Sequence, residues 1–78
     1  MTTPKIETLK ANMTVLYTDD YTILYSYNTP VACMELETGK YYRTTLNHSV
    51  TTSKHINQWL NGKPYEYKEQ TFFTLGLS

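Results

Sequence analysis

The sequence predicts an α+β fold, in which a small antiparallel β-meander of about four strands packs against one short amphipathic helix. From Met13 to Leu46 the chain is rich in β-branched and aromatic residues and is interrupted by turn residues. The segment that follows carries a helix start signal, an apolar stripe and a stop signal. Because a chain of 78 residues has room for one core only, we expect residues 1–78 to form a single domain.

The first predicted element is a hairpin within the run MTVLYTDDYTILYSYNTPVACMEL, which begins at Met13. The pair Asp19-Asp20 separates two apolar runs and is expected at the hairpin tip. In Tyr21 to Tyr27 the odd positions are aromatic or apolar, so the strand has one aromatic face. The sequence Asn28-Thr29-Pro30 predicts a turn, because proline cannot donate to a central ladder. A third strand is expected from Val31 to Glu37.

A fourth strand is expected in KYYRTTL, after the tight connection Thr38-Gly39-Lys40, where glycine permits a positive φ. The first dozen residues are ambiguous, because Ile6 and Leu9 have helical spacing that threonine and lysine dilute. A fifth strand, a helical turn and a loosely ordered arm over residues 1–12 all remain open. The tail YEYKEQTFFTLGLS favours a short C-terminal helix over an edge strand.

The helix is expected in SVTTSKHINQWLNGKPY. Three hydroxyl residues are candidates for its N-cap: Thr51, Thr52 and Ser53. Ile56, Trp59 and Leu60 follow at the i, i+3, i+4 spacing that places them on one face. Gly62 suits a left-handed C-cap and Pro64 prevents continuation. So short a helix is marginal alone, so we expect the Trp59 face to pack on the sheet.

Composition disfavours several classes of protein. Seven basic and seven acidic residues give a formal charge of zero, so net charge does not steer the chain toward duplex nucleic acid or an anionic membrane. The single cysteine cannot form an internal disulfide, and the start MTTPKIETLK lacks the apolar core of a secretion signal. No apolar run approaches the roughly 20 residues that span a bilayer. We therefore expect a soluble, cytoplasmic protein without a membrane partner.

The sequence contains no clear constellation for catalysis. Cys33 with a histidine is the one thiol option, yet a small thiol in mid-strand packs as an apolar residue. A hydroxyl of Ser49, Thr51 or Ser53 beside His55 is a weaker hypothesis than a packed, hydrogen-bonded histidine. The spacing of the histidines and the cysteine disfavours zinc, and three isolated glycines disfavour a phosphate loop. We expect no enzymatic activity, no cofactor and no metal.

The eight tyrosines suggest a binding function. Their rings give large, rigid, amphipathic contact area of the kind enriched in protein interfaces. An alternative is stacking on the bases of single-stranded nucleic acid beside basic residues. The residues expected to contact the partner come from the strands and the polar helix face: Tyr25, Tyr27, Tyr42, Arg43, Lys54, Asn57, Gln58 and Asn61.

The stretches LYSYNTPVA and YYRTTLNHSVTTSKHINQWL resemble a small uncharacterised domain family of tailed phages and the bacteria they infect. Its pattern is a Tyr-Ser-Tyr-x-Thr-Pro-Val-Ala segment followed by Ser-x-Thr-Thr-Ser-Lys-His-Ile-Asn, and the matches cover about half of the chain. The resemblance implies a phage or mobile-element protein that obstructs a host bacterial protein. Its most specific version is an anti-CRISPR or similar anti-defence inhibitor acting on a defence nuclease complex. An uncovered sheet edge also leaves a homodimer open.

Overall fold

The computed structural model describes residues 5–10, 12–46 and 49–75, which form an α+β fold with one six-stranded sheet and two short helices. The elements, in chain order, are β1 (Lys5–Lys10), β2 (Met13–Tyr17), β3 (Tyr21–Ser26), β4 (Thr29–Glu35), β5 (Tyr41–Thr44), α1 (Val50–Leu60), β6 (Tyr65–Lys68) and α2 (Gln70–Thr74). The strands lie in sequence order, and every neighbouring pair is antiparallel except β5 and β6. The predicted class is confirmed, whereas four strands was too low a number.

The predicted meander corresponds to β2 through β5, and the two additional strands are the edges of the sheet. β1 lies within the segment that the sequence left open, where Ile6 pairs with Leu16. Residues 5–10 are therefore a strand rather than an arm, while residues 1–4 and 11 lie outside the described residues. Residues 5–10 form a strand because they pair with β2, and the local propensities of these residues do not predict that pairing.

The turn between β3 and β4 begins one residue earlier in the chain than predicted. Tyr27 and Asn28 form it, Ser26 pairs with Thr29 across it, and Tyr27 has a φ of 60°. Pro30 lies inside β4, opposite Tyr25, at a register shift of the β3–β4 ladder. A bulge accommodates a residue that lacks a backbone donor, which explains how a central strand tolerates proline.

The N-cap of helix α1 lies two residues before the first predicted candidate, Thr51. It is Ser49, whose Oγ accepts a hydrogen bond from the Thr52 amide at 3.1 Å. The three predicted candidates were wrong, because a serine upstream satisfies the same free amides. The C-terminal signal was nearly right, since Asn61 is the left-handed C-cap at φ 49° and Gly62 follows at φ 79°.

The tail contains both of the elements that the sequence offered as alternatives. β6 adds to the sheet beside β5, and α2 follows it. Parallel neighbours require a long crossover, which α1 supplies between β5 and β6. All four residues of β6 are exposed, whereas α2 buries Phe73.

The two helices pack on opposite faces of the sheet. On the α1 face, the buried cluster consists of Met13, Val15, Leu24, Val31, Ala32, Ile56 and Leu60, with Tyr41 and Trp59 packed against it. On the α2 face, the cluster consists of Ile23, Cys33 and Phe73, flanked by Leu16, Tyr21, Tyr25, Tyr42 and Phe72. The α1 face carries most of the hydrophobic core. Neither helix has the length and apolar character needed to cross a membrane, as far as the described residues extend.

Candidate functional site

The eight residues predicted to bind a partner do not form one surface. Tyr25 and Tyr42 flank the buried cluster on the α2 face. Four others lie exposed on or just after α1, on the opposite side of the sheet: Lys54, Asn57, Gln58 and Asn61. Tyr27 is exposed at the β3–β4 turn, and Arg43 is half-buried on β5. A single partner would have to bind around the sheet edge to touch all of them.

Arg43 is joined instead by two tyrosines that the prediction missed. Cross-strand partners share a face, so the register Tyr41 with Tyr65 and Arg43 with Tyr67 places these four side chains on one side of the sheet. The Arg43 guanidinium carbon lies 5.7 Å from the centre of the Tyr65 ring and 5.4 Å from that of Tyr67. The two rings meet edge to face at 5.5 Å. We call Arg43, Tyr65 and Tyr67 the β6 edge cluster.

The β6 edge cluster holds its cation in place without neutralising it. Arg43 Nε is buried and has no hydrogen-bond partner among the described residues. Tyr65 and Tyr67 are 40% and 57% exposed, so the cluster reaches solvent. A hydrogen bond with the Tyr65 side chain raises the pKa of the Tyr67 phenol, against a smaller opposite effect of the Arg43 charge. Tyr67 therefore stays protonated at neutral pH and can donate or accept.

Further cations flank the cluster on both faces of the sheet. Lys63 Nζ lies 5.8 Å from the centre of the Tyr41 ring. On the other face, Lys68 Nζ lies 5.3 Å from the Tyr42 ring and 5.6 Å from the Phe72 ring. An open groove of 340 Å³ extends the surface and is lined by Gly39, Lys40, Tyr41, Lys63, Pro64, Tyr65 and Glu66.

The zero net charge of the chain conceals a separation of charge. Four of its seven basic residues lie on or beside β5 and β6: Lys40, Arg43, Lys63 and Lys68. Four of its seven acidic residues line a different depression, beside the β2–β3 turn and the end of β4: Asp19, Asp20, Glu35 and Glu37. Two acidic residues, Glu66 and Glu69, also lie on or beside β6, so the β5–β6 side has a local excess of positive charge, by which it can attract an anionic partner.

His55 belongs to a buried hydrogen-bond network. Its Nδ1 lies 2.9 Å from Ser26 Oγ, which lies 2.9 Å from Thr52 Oγ1. His55 is 7% exposed, and the centres of the His55 and Tyr27 rings lie 6.2 Å apart. Its partners differ from the predicted Ser49, Thr51 and Ser53. The packed, hydrogen-bonded histidine that the sequence favoured is what the structure contains.

Cys33 is also a structural residue, as predicted. It is fully buried in β4, between the pairing partners Ile23 and Tyr42. Burial, with a smaller contribution from the Glu35 charge, raises the pKa of its thiol to about 12. Such a thiol is protonated at neutral pH and is a poor nucleophile. Within the described ranges, no three His, Cys, Asp or Glu side chains lie close enough together to hold a metal ion.

Sequence reasoning missed Tyr65 and Tyr67 because their partner strand is distant in the chain. The signal that could have found them is the alternation Tyr-x-Tyr directly after Pro64, which is typical of a short strand. The parallel pairing that brings these rings to Arg43 is produced by the β5–α1–β6 crossover.

Comparison with known proteins gives a family without an assigned activity. Residues 1–74 match the model of a family described as a family of unknown function, DUF8033. No curated protein and no solved structure matches the chain significantly.

Proposed function

The chain belongs to the DUF8033 family of unknown function, and we propose that it is a non-enzymatic protein that binds another protein through the β6 edge cluster and obstructs it. The observation that carries this proposal is the guanidinium of Arg43, which lies over two exposed tyrosine rings and whose Nε has no hydrogen-bond partner among the described residues. Tyrosine and arginine dominate the energetically important positions of protein interfaces.

The cluster is suited to tight contact because contacts within the free protein already hold its side chains in place. Arg43 is half-buried and stacked, and the Tyr65 and Tyr67 rings contact each other. Side chains that already hold their bound arrangement lose less conformational entropy on association. A guanidinium is the side-chain group that pairs best with an incoming carboxylate, because its planar donors match the two carboxylate oxygens.

The resemblance to a phage-encoded domain family supplies the nature of the partner in this proposal. In the proposal the protein is made by a phage or mobile element and acts in the cytoplasm of the bacterial host. Its target is a host protein, most specifically a defence nuclease complex, as for an anti-CRISPR inhibitor. Fold and surface chemistry are common to many binding modules, so this specific version rests on the resemblance.

Single-stranded nucleic acid is the second candidate, and the charge separation favours it. Tyr65, Tyr67 and Tyr41 are rings on one face of β5–β6 with Arg43 and Lys63 beside them. Aromatic rings in a basic setting stack on bases without regard to sequence. Such binding falls steeply as salt rises, because contacts with phosphate release counterions.

The test is capture of a partner from bacterial lysate by the tagged protein, with and without nuclease treatment. We expect a stoichiometric protein that survives nuclease and is lost with Arg43→Ala. The matched control is Lys54→Ala, which removes an exposed basic side chain from the helix face and should leave capture unchanged. Capture that depends on Lys54 and not on Arg43 would assign the interface to α1. Material that disappears with nuclease would favour the second candidate.

A further inference from the structure

We infer that the outer edge of β6 is a strand-addition site, which takes an extended, acidic segment of the partner protein as a seventh strand. The inference rests on the proposed function and specifies the chemistry of what the β6 edge cluster binds. It follows from the backbone direction of β6, the charges around it and the contrast between the two edges of the sheet.

The backbone of β6 has an open side. Thr45 donates its amide hydrogen to the Lys68 carbonyl at 2.9 Å, so the Lys68 peptide groups face β5. Peptide groups alternate sides along a strand, so Tyr67 directs its N–H and C=O to the other side. Among the described residues, β6 is the last strand of the sheet, and its four residues are exposed. A row of unpaired backbone groups is the template that an added strand requires.

The side chains around this edge select for negative charge. Arg43 and Lys63 lie on the α1 face, and Lys68 lies on the α2 face. Side chains of an added strand would alternate between the same two faces, so acidic residues at successive positions would each meet a cation. Glu66 is the one acidic residue within the strand. Complementary charge therefore favours an acidic segment over a basic one.

The opposite edge of the sheet is built to resist strand addition. The ladder between β1 and β2 has a register shift between Thr8 and Lys10, and the charged side chain of Glu7 is exposed in β1. Bulges and charged side chains are features by which natural sheets protect their edges from pairing. β6 has a continuous register with β5 and carries two exposed tyrosines instead.

The experiment is selection of short random peptides, displayed on a carrier, against the full-length protein. We expect enrichment of segments in which Asp or Glu recurs at alternate or successive positions. Their affinity should fall by at least about tenfold with Arg43→Ala, as for a central interface arginine. Glu66→Gln, which removes the acidic side chain and keeps the ladder, should strengthen binding.

A matched pair of variants separates strand addition from side-chain contact. Tyr67→Ala removes the ring and keeps the outward N–H, whereas Tyr67→Pro removes both and is compatible with an edge strand. We expect the proline variant to bind the selected peptides roughly three- to tenfold more weakly than the alanine variant, the value of one backbone hydrogen bond. Circular dichroism and melting of both variants establish that each is folded.

Four results would overturn the inference. If the selection yields no peptides, or peptides without enrichment of Asp and Glu, an acidic segment is excluded as the ligand of the β6 edge. Equal binding by the two Tyr67 variants shows that side chains alone form the contact, and then the proposed function survives while strand addition fails. Preferential binding of poly(dT) would assign the β6 edge to nucleic acid. A dimer seen in sedimentation and abolished by Tyr67→Pro would assign the edge to a second copy of the chain. Partner capture that Arg43→Ala and both Tyr67 variants leave at the wild-type level would instead contradict the proposed function.

Discussion

Replacement of Ser26 by alanine tests the interpretation that His55 stabilises the fold. Ser26 is 2% exposed and its Oγ lies 2.9 Å from both His55 Nδ1 and Thr52 Oγ1. Thr52 keeps a second partner, the Ser49 hydroxyl at 3.2 Å. The substitution therefore leaves His55 Nδ1 as the main orphan, in a residue that is 7% exposed. An unsatisfied buried group costs about 1–3 kcal/mol, so we expect Ser26→Ala to cost about 2 kcal/mol.

That loss is a substantial fraction of what a domain of this size has. At roughly 0.05–0.15 kcal/mol per residue, its total stability is about 4–12 kcal/mol. A loss of about 2 kcal/mol lowers the melting midpoint by roughly 8–16 °C. The assay is urea and thermal unfolding, followed by circular dichroism and by the fluorescence of Trp59, the single tryptophan. Agreement between the two probes establishes two-state unfolding.

Three further variants make the result specific. Thr51→Ala changes an exposed hydroxyl on the same helix and should stay within about 0.5 kcal/mol of wild type. His55→Asn, whose side-chain amide can replace Nδ1, should be more stable than His55→Ala. A Ser26→Ala protein that unfolds at the wild-type midpoint would show that the hydrogen bonds of Ser26 contribute nothing to stability.

Three other perturbations test separate parts of the structure. Trp59→Ala should cost about 2–4 kcal/mol, because the half-buried ring packs on the core and meets Tyr41 edge to face at 5.5 Å; an unchanged urea midpoint would mean that the ring does not contribute to the core. Tyr27→Gly should raise the melting midpoint or leave it unchanged, because glycine is favoured at a positive φ in a two-residue turn. A fall of more than about 1 kcal/mol in the free energy of unfolding would show that the contact between Tyr27 and His55 outweighs the backbone strain of the positive φ. Cys33 should resist thiol reagents in the folded state. Because burial raises the pKa of its thiol, the free energy of unfolding should fall as the pH rises above about 9, the pKa of the thiol in the unfolded chain, by up to about 1.4 kcal/mol per pH unit. Cys33→Ala should flatten that alkaline slope, and an equal slope in both proteins would contradict burial as its cause.

The central part of the fold could be predicted because its signals are local. Alternation and turn residues located β2 through β5, and the spacing of Ile56 and Leu60 identified the buried face of α1. The details that failed depend on choices between equivalent groups. Ser49 competes with three downstream hydroxyls for the N-cap, and the bulge at Pro30 shifts a turn by one residue. Such choices are decided by packing, which a single sequence does not display.

The candidate site was less predictable than the fold because it is made by a non-local pairing. Arg43 was identified as a contact residue, but its actual neighbours Tyr65 and Tyr67 are more than 20 residues away in sequence. The eight predicted residues lie on two faces, because Tyr25 and Tyr42 point away from α1. Net charge was uninformative for the same reason, since it sums over a surface on which acidic and basic residues are separated.

In the proposed function, Arg43, Tyr65 and Tyr67 form the surface that binds the partner. The test is titration of the captured protein against wild type, Arg43→Ala and Lys54→Ala, with all three shown to be folded by their melting curves. We expect Arg43→Ala to weaken the affinity for this protein by at least about tenfold, whereas Lys54→Ala should bind as wild type does. Equal affinities for wild type and Arg43→Ala would contradict the proposed function, because a cation held between two rings at an exposed edge would then have no part in recognition.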